Sequence, residues 1–177
     1  MTLNIVKNFF GRKVAEDISP EQIDFEKTGF ELKENIDSIF GRSLAIRELD
    51  SGSDNAAEIE LNNLGTPHYD IERFGISFVA SPRHADVIVI TGAVTHNMAQ
   101  AVKKTYNAMP QPGFVIAVGD DACDGGIYKD SYAVLGGADK ILPVDIKIPG
   151  NPPTPLEIMK GLLALTEAIK QQNRKKS

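Results

Sequence analysis

The stretch DVIVITGAVTHNMAQAVKKTYNAMPQPGFVIAVG, Asp86 to Gly119, decides the fold. Two short runs rich in Val and Ile flank a segment that carries Met98, Ala101, Val102, Tyr106 and Met109 at helical spacing. The runs are too short for ordinary helices and predict strands. The segment between them predicts a helix that stops before Pro110. Strand, helix, strand in this compass is a crossover unit, which joins parallel strands.

The same alternation extends outward. LAIREL (44–49) predicts a strand and AAEIELNNLG (56–65) a helix ending at Gly65. GISFVAS (75–81) is another β-rich run. KILPVDIKIPG (140–150) is a less regular strand that Pro143 places at an edge or a bend. Thr154, Pro155 and Glu157 open a closing helix with a capping box. The fold class is therefore α/β, a mainly parallel sheet covered on both faces, over residues 44–177. Residues 1–43 differ in texture and predict an irregular N-terminal arm, either a surface extension or a docking arm anchored by Phe9, Phe10 and Phe40. Within it Ser19, Pro20 and Gln22 mark a helix start, and Gly29 is expected to interrupt that helix.

Composition narrows the function. The chain has 177 residues, 42% of them hydrophobic and 24% charged, enough for one domain with a real core. A net charge of -5 argues against nucleic acid as a partner, since phosphate binding needs a surplus of Lys and Arg. No apolar run approaches the ~20 residues of a membrane span, and no signal peptide is evident, so a cytoplasmic protein is expected. The single cysteine, Cys123, excludes an internal disulfide.

In parallel sheets ligands sit outside the carboxyl ends of the strands. The loops DSGSDNAAE (50–58), GAVTHNM (92–98), GDDACDGG (119–126) and PGNPP (149–153) are therefore expected to converge. They carry no phosphate-loop pattern, and Asp54, Asp120, Asp121 and Asp124 would repel phosphate. Asp54, Glu58, Asp121 and Asn151 offer hard oxygen donors, although their spacing matches no calcium loop and solvated loop residues are the plainer reading. Ser51, Ser53 and Ser81 lack a matched base, and His68, His84 and His96 stand apart. Cys123 sits among aspartates, which disfavour a thiolate.

Four phrases carry a family resemblance: DSGSDNAAEIELNNL (50–64), YDIERFGISFVASPRHADVIVITGAVTHNM (69–98), AVGDDACDGGIY (117–128) and SYAVLGGADKILPVDIKIPGNPPTPLEIMKGL (131–162). From Ser43 to Ile169 the chain resembles the small, electron-transferring subunit of energy-converting nickel-iron hydrogenases and formate hydrogenlyase. That subunit is related to the 20-kDa subunit of the respiratory NADH-quinone oxidoreductase, complex I. The resemblance implies a flavodoxin-like, doubly wound fold docked on a hydrogenase-like or quinone-binding large subunit. It also implies one 4Fe-4S cluster on four cysteines, from a C-x-x-C-E pair, a cysteine after Gly-x, and P-G-C-P-P. At the matching positions stand Asp54, Ala57, Asp121 and Asn151. None is a cysteine, and Cys123 lies two residues past the third position.

Flanking residues Asn55, Glu58, Gly119, Gly150 and Pro152 follow the family pattern. The varied replacements, Asp, Ala, Asp and Asn, suit a natural paralogue better than a deliberate knockout. The expectation is a cluster cradle without a cluster: no cofactor, and a structural or assembly subunit of a membrane-associated complex, with Glu58, Asp120 and Asp124 at the interface. Two alternatives remain open, an electron-transfer subunit with a non-standard metal centre on Asp54, Asp121 and Cys123, and a stand-alone module binding a small ligand.

Overall fold

The computed structural model describes residues 19–176. Helix α1 (Pro20–Phe40) leads into strand β1 (Leu44–Asp50) and helix α2 (Ala56–Leu64). Strands β2 (Ile76–Phe78), β3 (Val87–Thr91) and β4 (Val94–Thr95) follow, then helix α3 (His96–Asn107) and strand β5 (Phe114–Val118). A short helix α4 (Asp120–Asp124), strands β6 (Val134–Gly136) and β7 (Ile146–Ile148), and helix α5 (Pro155–Lys176) complete the chain.

Five strands form one parallel sheet in the order β2-β1-β3-β5-β7. Counted within that sheet alone, the order is the 2-1-3-4-5 of flavodoxin-like folds. The period-2 rule sorts its side chains. Val87 and Val89 join Ile116 and Val118 under α1, α2 and α5. Ile88 and Ile90 join Val115 and Ala117 on the opposite face, with Val102 of α3 and Ala122 of α4. Burial on both faces is why these strands read as unbroken apolar runs. Strand β7 lies at the sheet edge, and Pro143 falls before it. Strands β4 and β6 form a separate antiparallel pair.

Both capping boxes form. The Ser19 hydroxyl accepts the Gln22 N–H, and the Ser19 N–H is donated to the Gln22 side chain. Thr154 and Glu157 make the same reciprocal pair. The expected break at Gly29 does not occur: α1 is continuous, and ends at the left-handed Gly41. Gly29 is a packing residue, because a Cβ there would lie 2.5 Å from the ring of Phe74, itself fully buried. Phe25, Leu32 and Ile36 then enter the core, and α1 runs alongside α5. Asn35 donates to Thr166 Oγ1 at 3.1 Å and accepts from Lys170 Nζ at 2.6 Å. Residues 20–40 are thus part of the packed layer, which corrects the surface-extension reading for that stretch. Phe40 rests half-buried against the core, while Phe9 and Phe10 lie outside the described residues.

Gly29→Ala tests this packing. Helix propensity alone would stabilise by roughly 1 kcal/mol, but the Phe74 ring has nowhere to retreat and overpacking costs about 1–3 kcal/mol. Urea unfolding is expected to show net destabilisation with an unchanged m-value. A gain in stability would mean that the helices separate easily at this contact.

Candidate functional site

The strand order turns between β1 and β3, and the loops leaving their carboxyl ends lock together first. Asp50 Oδ1 accepts the N–H groups of Gly52 and Ser53 at 2.7 and 2.8 Å, which curls the loop back over the strand. The fully buried Ser51 directs its hydroxyl at the carbonyls of Thr91 and Gly92, and its own carbonyl accepts the Thr95 N–H at 3.0 Å. Ser51 is therefore a loop tie. Gly92 has φ +69°, and a Cβ there would sit 2.4 Å from the backbone of Ser53. Only glycine fits that approach.

The loops after β5 and β7 meet in the same way. The Gly119 N–H donates to Ile148 O at 2.9 Å, and the Asp120 N–H donates to Gly150 O at 2.8 Å. The Gly150 N–H returns to Asp120 Oδ1, also at 2.8 Å. These contacts bring Asp54, Ala57, Asp121 and Asn151, the four positions singled out in the sequence, around one cavity with Gly119 and Gly150. Its volume is about 10 Å³, roughly the room one water needs.

The interface candidates fare differently from one another. Asp120 is half-buried and committed to Gly150, and Asp124 is exposed with Oδ1 accepting the Gly126 N–H at 2.8 Å. Glu58 is buried at 5% exposure, and neither carboxylate oxygen has a hydrogen-bond partner. Asp121 is buried as well, with Oδ1 unpaired. Desolvation, then the charges of Asp54, Asp120, Asp124 and Glu58, push the Asp121 carboxyl above its ordinary range. Desolvation and Glu58 do the same to Glu48 on β1.

Cys123 turns away from this edge. Its thiol packs in the opposite-face core with Ile88, Ala117 and Ala138, and donates to Ala117 O at 3.7 Å. Burial pushes the thiol up to about 11. Among the described residues no three His, Cys, Asp or Glu side chains converge as a metal ion requires. His68, His84 and His96 are all exposed and belong to separate segments. Ser53 and Ser81 spend their hydroxyls accepting nearby backbone N–H groups.

The structure defines a flavodoxin-like domain with a small cavity where the loops meet at the carboxyl edge of its sheet. Residues 55–165 match the family described as NADH ubiquinone oxidoreductase, 20 Kd subunit, and the chain belongs to that family. It is similar to a chain of the membrane-bound sulfane sulfur reductase, an archaeal respiratory membrane complex: 37% identity, TM-score 0.67, covering 80% of this chain and 77% of that one. A reduced, active Ni-Fe-Se hydrogenase from Desulfomicrobium baculatum shares the fold at 14% identity and TM-score 0.54, covering 75% of this chain and 65% of that one. A second structure of that species' hydrogenase, H2-activated and anaerobically purified, matches at 13% identity and TM-score 0.54, with the same coverage.

The family's 4Fe-4S group does not fit the residues present. Such a cluster is held by thiolates, whereas Ala57 has no donor, Asn151 only a neutral amide, and Asp54 already accepts the Ala56 N–H at 3.0 Å. The one thiol faces the other side of the sheet.

Two measurements check this electrostatic picture. A raised carboxyl means the folded chain keeps a proton that the unfolded chain has lost. That stabilisation is complete below the unfolded value near ~3.9 and disappears as pH rises through the folded value. Asp121→Asn is therefore expected to raise Tm at neutral pH, with the gain shrinking towards zero on acidification. A gain independent of pH would point to shape rather than charge. Cys123 is expected to resist iodoacetamide at pH 8 in the folded protein and to react promptly in denaturant; equal rates would show an open thiol.

Proposed function

We propose that this chain is a cluster-free structural or assembly subunit of a membrane-associated oxidoreductase complex, docked on a hydrogenase-like or quinone-binding large subunit. The observation that carries the reading is the donor set of the cradle. Asp54, Ala57, Asp121 and Asn151 surround a cavity with room for about one water, and they supply no sulfur. Electron transfer through this subunit would need a redox group that this cavity is not built to hold.

The partner half of the reading draws on relatives. The archaeal respiratory membrane complex contributes a chain of similar length and fold at 37% identity, and a subunit of such an assembly needs no span of its own. Among the described residues no helix is long and apolar enough to cross a membrane. Attachment would then run through the partner, peripheral to the bilayer. The non-standard metal centre loses its support where Cys123 turns into the core.

Protein purified without air and incubated with ferrous iron and sulfide is expected to retain neither and to show no broad band near ~400 nm. Iron and sulfide near ~4 each per chain would overturn the reading. Installing cysteine together at Asp54, Ala57, Asp121 and Asn151 is expected to confer cluster assembly, because the four positions line one cavity.

A further inference from the structure

A second recess shares no lining residue with the cradle. It lies where the starts of α1 and α5 meet the loop after α2, and its volume is about 430 Å³, within the range of pockets that hold a ligand. Its floor is apolar. Phe25 is 4% exposed, with its ring 5.0 Å from that of Tyr69, and the half-buried Leu156 of α5 also lines the space. Its charged wall is acidic. Glu21 and Glu26 line it with His68, and none of the described lining residues is Lys or Arg. Arg73 pairs with Glu26, whereas Glu21 is in no ion pair among the described residues.

An apolar floor under an acidic wall suits a segment that carries rings and cations together. Such a segment precedes α1. KNFFGRK, Lys7 to Lys13, has Phe9 and Phe10 at its centre, Lys7, Arg12 and Lys13 around them, and no acidic residue. The chain enters α1 at the recess itself, because Ser19, the N-cap of that helix, is one of its walls. The link from Phe10 to Ser19 spans at most roughly 30 Å, and Gly11 permits a tight reversal beside the rings. Ile18 and Ile23 stand at the N′ and N4 positions, the pair that in a hydrophobic staple sets the angle at which a chain enters its helix.

Tethering favours this occupant over any other. A segment on a short linker meets its own recess at an effective concentration on the order of 1 mM. An affinity of only ~0.1 mM then keeps it about 90% seated. A second copy or a separate partner at micromolar concentration needs far stronger contacts to do the same. We propose that Lys7 to Lys13 seat in this recess of their own chain, with Phe9 and Phe10 over Phe25, Tyr69 and Leu156, and with Arg12 and Lys13 facing Glu21. The seated rings cover apolar surface otherwise open to water, and the cations bring opposite charge to an unpaired carboxylate. This contact needs neither a cluster nor a large subunit, so it stands apart from the docked-subunit reading.

The chain contains no Trp, so Phe10→Trp supplies a single fluorescent reporter. In the isolated full-length variant its emission is expected to lie to the blue of that in denaturant. Acrylamide is expected to quench it several-fold less than in denaturant, equally at low and high protein concentration. Leu156→Asp in the same background is expected to restore free quenching. Glu21→Lys, at an exposed position that folding does not depend on, is expected to raise quenching in part and serves alone if the first variant fails to fold. Quenching in the isolated chain as free as in denaturant overturns the proposal. So does protection that grows with protein concentration, which gives the recess to a second copy. Protection that survives both groove substitutions places the segment elsewhere and overturns it too.

Discussion

The reciprocal pair between Asp120 and Gly150 holds the functional edge of this molecule together. Strand β7 is an edge strand of only three residues, paired on one side. Little in the sheet would fix the loop that follows it. Two hydrogen bonds to Asp120, and the Gly119 N–H to Ile148 O, fasten that loop to the start of α4. The Ser51 ties perform the same service between the loops after β1 and β3. The cavity exists because these two pairs of loops face each other, and the segment from Gly126 to Leu135 inherits its position from α4.

Holding that edge has an electrostatic cost. Glu58 and Asp121 are buried without full hydrogen-bond partners, and each is surrounded by further carboxylates. Desolvating such groups is unfavourable by a few kcal/mol unless a proton, water or cation compensates. A monomer selected only for stability would replace them with neutral residues of similar volume.

Much of this architecture was legible in the sequence. The strands around Val89 and Ile116 announced themselves because both their faces are buried, and the capping residues at Ser19 and Thr154 act locally, where sequence is most informative. The convergence of the four loops followed from strand-end geometry, and the choice of Asp54, Ala57, Asp121 and Asn151 within them from the family resemblance. What escaped depended on distant partners. Gly29 looks like a helix breaker until Phe74, forty-five positions on, is placed against it. The burial of Glu58 depends on loops folding over the start of α2, where an acidic residue ordinarily sits in water. Exposure of Ile127 and Tyr132 is likewise no property of the residues themselves. Their composition is that of any packed loop, and only the path of the chain from α4 to β6 turns them outward.

The shape of these loops has a physical explanation that needs no bound group. Gly92, Gly119 and Gly150 all have positive φ. Gly92 meets the Ser53 backbone and Gly150 meets Pro153, so any side chain at either would collide with this chain's own loops. Gly119 hands its N–H to Ile148 and Asp120 binds Gly150 from both sides. These constraints come from loop against loop, and they persist whether or not four sulfurs are present at the centre. A donor set without sulfur leaves this frame intact, whereas losing one of these glycines would shift the start of α4 and the segment beyond it. The flanking residues are thus held by the packing of loop against loop, and the donor set inside them is the part free to change.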